Sequence, residues 1–515
     1  MPPSLAEAIF YYAGLPSGPP LIARTGSTVW TAPTGREAYR RTKQLRAVGT
    51  HALVDVWEAD LAVELHAVLD EMKVKWTSTD AVRIGYVGEP FAPVIVWIGV
   101  APGSLSSQDG AVVASRCKRL LEERYITDVD IELRESTVIR LAGPKLLAPS
   151  YSFDGAIDIR EPLTTTLGLP ISPQSTPWNE GTAGFFIAEG VRSTRLLLVT
   201  ARHVVFAGDR EPNELFEHTD GQLRRNITLF GDTGFNKYLQ SIQDAIRSQK
   251  IAANYHGTRL TAFERDSEAT DHVRKAEQVK LDDVMETMEH LNIFYREVST
   301  YWATQESRII GHVVLSPPIN VGVGRDNYME DWAVIEVDPS KVDDSNLEGN
   351  AIDLGTRISF HETIRMMIPN YRDANSFTYP DDRFLRFKGA IPEEEMRYPN
   401  TLDEDNEPCL MVIKRGHGSA LTIGRANNLY SYVRHYHNNG SYQTSKEWAI
   451  LPLDSKSGPF ATLGDSGSII VDRLGRVGGL LTSGTGAVPS SPDISYATPF
   501  RFLLERMQSS GLHIL

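Results

Sequence analysis

A hydroxyl attacks a carbonyl at neutral pH only with a base beside it, an acid to orient that base, and donors for the oxyanion that forms. Three segments of this 515-residue chain carry those residue types. Phe460-Ala461-Thr462-Leu463-Gly464-Asp465-Ser466-Gly467-Ser468-Ile469-Ile470-Val471 sets a serine in a glycine-bounded turn just before an apolar strand. Glycines at 464 and 467 open backbone angles that larger residues resist, so the amides of Gly464 and Ser466 can converge beside the Ser466 hydroxyl as an oxyanion hole. Thr200-Ala201-Arg202-His203-Val204 follows directly on the apolar run Leu196-Leu197-Leu198-Val199, which puts His203 at a strand end, where a base can face a cleft. Asp331 opens Asp331-Trp332-Ala333-Val334-Ile335-Glu336-Val337, again a polar residue at the mouth of an aliphatic strand, with Glu330 beside it as a competitor for the acid's role.

Taken alone, Gly-Asp-Ser-Gly also suits a plain turn, and a single histidine among thirteen is more often structural. The joint pattern, in the order His, Asp, Ser, resembles the trypsin-like (chymotrypsin-fold) serine proteases. In that family a histidine stands in Thr-Ala-x-His after a strand, an aspartate precedes an aliphatic strand, and the serine lies in Gly-Asp-Ser-Gly. The likeness covers the chain from about residue 165 onward. Lys414-Arg415-Gly416-His417-Gly418-Ser419-Ala420-Leu421-Thr422-Ile423-Gly424 resembles the hairpin that opens the second barrel in cytosolic and viral-type members, and Gly478-Gly479-Leu480-Leu481-Thr482-Ser483-Gly484 resembles the strand beside their substrate cleft.

The resemblance implies a double six-stranded antiparallel barrel and a serine endopeptidase using a His203-Asp331-Ser466 triad through an acyl-enzyme, with no cofactor and no metal. It also implies that Thr482 braces Asp331, that Ser483 and Gly484 line the cleft, and that Gly484 pairs with substrate backbone. Phe460 stands where trypsin has the acid that selects basic side chains, so the implied preference leans to apolar or small ones. Val204 replaces the cysteine that secreted members carry after the histidine, and Glu180-Gly181-Thr182-Ala183-Gly184-Phe185 offers no activation site for a new amino terminus. The competing reading is a catalytically idle protease fold serving as a regulatory or protein-binding module.

Positioning those residues takes more than one core, since 515 residues exceed a single domain. Residues 1–145 read as an α/β or α+β domain of unassigned role. A helix is expected around Asp60–Leu69, a buried strand at Pro93–Val100, a helix at Gly110–Tyr125 and a strand at Val129–Leu141. Residues 146–177, rich in Pro, Ser and Thr, read as a linker or draped arm. From 178 to 515 short strands prevail, as in a barrel.

Residues 236–305 interrupt that pattern. Leu281, Val284, Met288, Leu291, Tyr295, Val298 and Trp302, with Leu239, Ile242 and Ile246 earlier, predict an antiparallel helical hairpin, its stripes packed on each other or on the barrel, or offered as a coiled coil to a protein partner. The N-terminal domain is the other candidate partner surface.

A formal charge of −14 with no basic block argues against nucleic acid or an anionic membrane as partner. Cys117 and Cys409, the two cysteines, fall in separate segments, which argues against a disulfide framework. With no signal peptide or membrane span read in the sequence, the expectation is an intracellular protein, cytoplasmic or nuclear and not secreted. His435-Tyr436-His437 lacks further ligands at zinc spacing, Gly322-Val323-Gly324 lacks a phosphate loop's continuation, and Asn226-Ile227-Thr228 and Asn439-Gly440-Ser441 read as chance glycosylation tripeptides.

Overall fold

Val94–Val100 is buried along its whole length, as an aliphatic run in a central strand must be. In the computed structural model, which describes residues 2–31, 42–138, 143–150, 156–188, 195–208, 211–265, 271–373, 377–436, 440–488 and 490–512, the chain divides into two units, Met1–Leu141 and Ala142–Leu515. His437 and Asn439 lie outside the described residues.

In the first unit Val94–Val100 pairs in parallel with Asp130–Glu135, and the helix Ser107–Glu122 connects them. The sheet is completed antiparallel by Trp76–Tyr86, Lys43–Arg46 and Leu21–Arg24. Leu65 and Leu69 of the helix Ala62–Glu71 are fully buried against this sheet's core, each contributing about 1.5–3 kcal/mol.

The stretch read as a linker is built into the second unit. Leu163, Leu167, Leu169 and Ile171 are buried in its core, and Pro170–Pro173 (β1) is a strand with prolines only at its two ends, where a missing N–H is tolerated. The composition suggested an arm, but the four apolar side chains supply burial that holds it.

Further strands are Gly181–Thr182 (β2), Phe185–Ala188 (β3), Leu196–Thr200 (β4) and Asn226–Leu229 (β5). Two long helices follow, Asp232–Arg265 (α1) and Asp271–Tyr301 (α2), and then Ile309–Ser316 (β6) and Ala333–Val337 (β7). The first ladder runs β2-β1-β5-β6-β7-β4-β3. Its two end strands are successive pieces of one segment that bends at Ala183-Gly184, handing over from β1 to β4. That bent segment pairs with β1 through its first half and with β4 through its second, so it bridges the two ends of the ladder, consistent with the expected double barrel.

The helical stripe is spent at its base: Phe235, Tyr238, Ile242, Phe294, Val298 and Trp302 join the core of the first ladder.

Leu410–Gly416 (β8), Ala420–Ala426 (β9), Tyr442–Pro452 (β10), Ile469–Asp472 (β11), Val477–Thr485 (β12) and Ile494–Pro499 (β13) form the second barrel. Its ladder, β8-β9-β10-β13-β12-β11 and back to β8, closes on six strands. Among the described residues no helix is long and apolar enough to cross a membrane. Cys117 and Cys409 are free, buried and in different units.

Candidate active site

β4 and β7 are antiparallel neighbours with Thr200 opposite Ala333, so the end of one strand meets the start of the other. That register brings His203, in the single turn Arg202–Val205, next to Asp331. Asp331 is 1% exposed; its Oδ2 lies 2.6 Å from His203 Nδ1, and its Oδ1 accepts the His203 amide at 3.1 Å. Burial pushes the Asp331 carboxyl up, but the His203 charge and the hydrogen bonds from His203 and from backbone amides outweigh it and hold the group below its ordinary range. Burial pushes the His203 imidazole down, and the Asp331 charge and hydrogen bond outweigh that, so the ring holds its proton above the usual pH.

Glu330 is engaged elsewhere. It accepts from Arg506 Nε at 2.7 Å and Nη2 at 3.1 Å, and from Trp332 Nε1 at 3.3 Å.

Arg202, to which no sequence motif points, fixes this corner. Its buried guanidinium donates to the Ser316 carbonyl and hydroxyl at 3.0 and 2.9 Å, and Ser316 Oγ donates to the Trp332 carbonyl at 3.0 Å. The segments bearing His203 and Asp331 are thus tied through β6. Asn179 Nδ2 donates to the His203 and Val204 carbonyls at 3.0 and 2.8 Å.

Ser466 sits in a turn whose glycines, Gly464 at φ 95° and Gly467 at φ 91°, adopt angles costly for other residues. A Cβ on Gly467 would overlap the Thr182 carbonyl and the Thr200 hydroxyl. The loop is docked there by the Thr182 amide on the Ser466 carbonyl at 2.8 Å and by the Gly467 amide on the Leu481 carbonyl at 2.8 Å. The amides of Asp465, Gly467 and Ser468 all have acceptors. Those of Gly464 and Ser466 have none among the described residues, which leaves two donors unspent beside the hydroxyl.

Asp465 holds the loop from below. Its carboxylate accepts from the amides of Gly418 (2.8 Å), Ser419 (3.0 Å) and Thr462 (2.8 Å), from Ser419 Oγ (2.7 Å) and from Lys414 Nζ (2.9 Å). Lys414 and Asp465 side chains are both 0% exposed. Burial pulls the Lys414 ammonium's pKa down, and Asp465 offsets only part of that. The sequence carried Lys414 only as a strand residue, because its partner lies far along the chain.

Ser466 Oγ donates to the Thr482 carbonyl at 3.4 Å, and no hydrogen bond joins it to His203 among the described residues. The expected cleft residues divide. Thr482 does not brace Asp331: its side chain is buried and its hydroxyl donates to the Tyr496 carbonyl at 3.5 Å. Phe460 is 1% exposed within the second barrel's core, which leaves it no face for a substrate. Ser483 and Gly484 pair with β13 on one side, while β11 on the other side reaches only to Leu480, so they form a strand edge.

No family model and no curated protein matches the chain. Among solved structures it is similar to a glutamic acid specific serine protease described as using a histidine triad in substrate binding, at 9% identity over 67% of this chain and 97% of that one, with a TM-score of 0.28. It is also similar to the active form of the Rv3671c protease from M. tuberculosis, at 10% identity over 74% and 94% of the two chains, TM-score 0.26. A third is Cellulomonas bogoriensis chymotrypsin, at 14% identity over 40% and 75%, TM-score 0.21.

Proposed function

We propose that the chain is a serine endopeptidase in which His203 is the base, Asp331 its orienting acid and Ser466 the nucleophile. The observation that carries this reading is the 2.6 Å bond from His203 Nδ1 to a buried carboxylate, on the strand end against which the Ser466 turn is docked.

With Nδ1–H given to Asp331, Nε2 is the free lone pair. Turning Ser466 Oγ from the Thr482 carbonyl toward Nε2 gives up one long hydrogen bond, about 1 kcal/mol or less. His203 then takes the hydroxyl proton as Oγ bonds to the peptide carbonyl carbon, and the oxyanion is received by the Gly464 and Ser466 amides. The imidazolium returns the proton to the leaving amine, and a water activated by the same nitrogen releases the acid. The free edge of Ser483 and Gly484 suits an extended peptide added as one more strand.

The hydrogen bond from Ser466 to Thr482 favours a second reading, in which the site is idle and the fold serves as a binding module. Cleavage of a peptide library by wild type and by Ser466→Ala separates the two. Cuts made by wild type and absent from the variant support the protease, and no cuts by either support the module.

A further inference from the structure

Glu180 joins the helical insertion to the serine loop. Its Oε1 accepts the amides of Gly231 at 2.9 Å and Gly234 at 3.0 Å, at the N-terminus of α1, where unpaired amides and the helix dipole favour a carboxylate. A Cβ on Gly234 would overlap the Glu180 carboxylate, and one on Gly231 would overlap the Pro177 carbonyl, so the approach needs both glycines. Burial pushes the Glu180 carboxyl up, while His417 and the two amides more than offset it.

The other oxygen, Oε2, lies 3.5 Å from His417 Nε2. His417 leans on the loop that carries Ser466. Its amide donates to Thr182 Oγ1 at 2.9 Å, that hydroxyl donates to the Gly464 carbonyl at 2.7 Å, and its Cδ2 stands 3.3 Å from where a Cβ of Gly464 would lie. Phe230, just before α1, meets the His417 ring edge-on at 5.7 Å and stacks on Tyr238 of α1 at 4.8 Å. Helix, carboxylate, imidazole and oxyanion loop therefore form one continuous set of contacts.

From these contacts we infer that Glu180 and His417 are positioning residues that tie the oxyanion loop to the base of the helical insertion, so that the seating of α1 and α2 sets how fast Ser466 is acylated. This rests on the protease reading above. Neither side chain touches the reacting atoms. The His417 ring packs against Gly464, whose carbonyl, held by Thr182, belongs to the peptide between the two oxyanion amides, and such donors work only within a few tenths of an ångström of their place.

The test uses the full chain and a chromogenic peptide substrate, with kcat and KM measured separately and folding followed by unfolding midpoint. His417→Ala and Gly234→Ala should each lower kcat about ten- to a hundred-fold and leave KM within about two-fold. The double variant should be no worse than the worse single one, because both cut the same tether. Glu180→Gln, which keeps an acceptor for the glycine amides, should retain most of kcat. If Gly234→Ala does not fold, Glu180→Ala carries the same comparison.

A folded His417→Ala with unchanged kcat, effects that multiply, or a change in KM alone would overturn the tether while wild type stays active. A wild type with no Ser466-dependent turnover overturns the protease reading and this inference with it.

Discussion

Lys414→Met removes the ammonium under the serine loop and leaves a side chain of similar length. Asp465 then keeps four of its five donors but loses its counter-charge at a site with 0% exposure on both partners. Breaking a buried pair by deleting one member costs about 3–5 kcal/mol, because the remaining charge is uncompensated. The loss should appear in urea as a lower midpoint at unchanged slope for the unit from Ala142 to Leu515, while any separate transition of Met1–Leu141 stays where it was. A displaced Asp465 also moves the Gly464 and Ser466 amides, so labelling of Ser466 by a fluorophosphonate should slow. Lys414→Met/Asp465→Asn, which removes both charges and keeps a carbonyl for the Gly418 and Ser419 amides, should recover at least half of the lost stability. A single variant within about 1 kcal/mol of wild type that labels at the wild-type rate refutes the reasoning.

Asp331→Asn should cut the labelling rate about 10⁴-fold by presenting the wrong His203 tautomer, with the unfolding midpoint measured alongside to separate chemistry from folding. Since the base must be neutral and Asp331 holds the imidazole proton, the wild-type rate should rise with pH through a midpoint above the ordinary histidine value of about 6.5; a midpoint at or below it contradicts the coupling. Burial, with Asp331 adding to it, pushes the Glu447 carboxyl from 4.5 up to about 8. A raised folded pKa gives stability that is complete below about 4.5 and is lost as pH climbs to about 8, on the order of a few kcal/mol. Glu447→Gln should lose less over that window in urea titrations, and parallel declines would show that Glu447 is not the group responsible.

The proposed triad of His203, Asp331 and Ser466 can be read from the sequence because its residue types follow from the proposed chemistry and each stands beside an aliphatic run, a pattern contained in a few consecutive residues. Most strands around them were legible for the same reason, and α1 and α2 from the period of their stripes. What the sequence hid depends on partners distant along the chain. Lys414 reads as a strand end until Asp465 lies 2.9 Å away, and Glu180 as one residue of the run into the first strand until Gly231 and Gly234 donate to it.

β1 was hidden by its prolines, and β10 by polar residues in its first half, whose cross-strand neighbours are Ser431–Tyr436. The assignment of Phe460 follows from its distance before Ser466 and that of Thr482 from the likeness of its segment, and neither tells a barrel-core side chain from a cleft wall. Glu330 is bound by Arg506 and Asp331 by His203, a difference that two adjacent acidic residues do not reveal in the sequence.

The most direct test of the central claim is to treat the full chain with a fluorophosphonate and map the adduct by peptide mass spectrometry. A single adduct should form on Ser466, absent from Ser466→Ala and slowed at least about 10³-fold in His203→Ala. A wild type that stays unmodified, or a Ser466→Ala protein that labels equally, would contradict it.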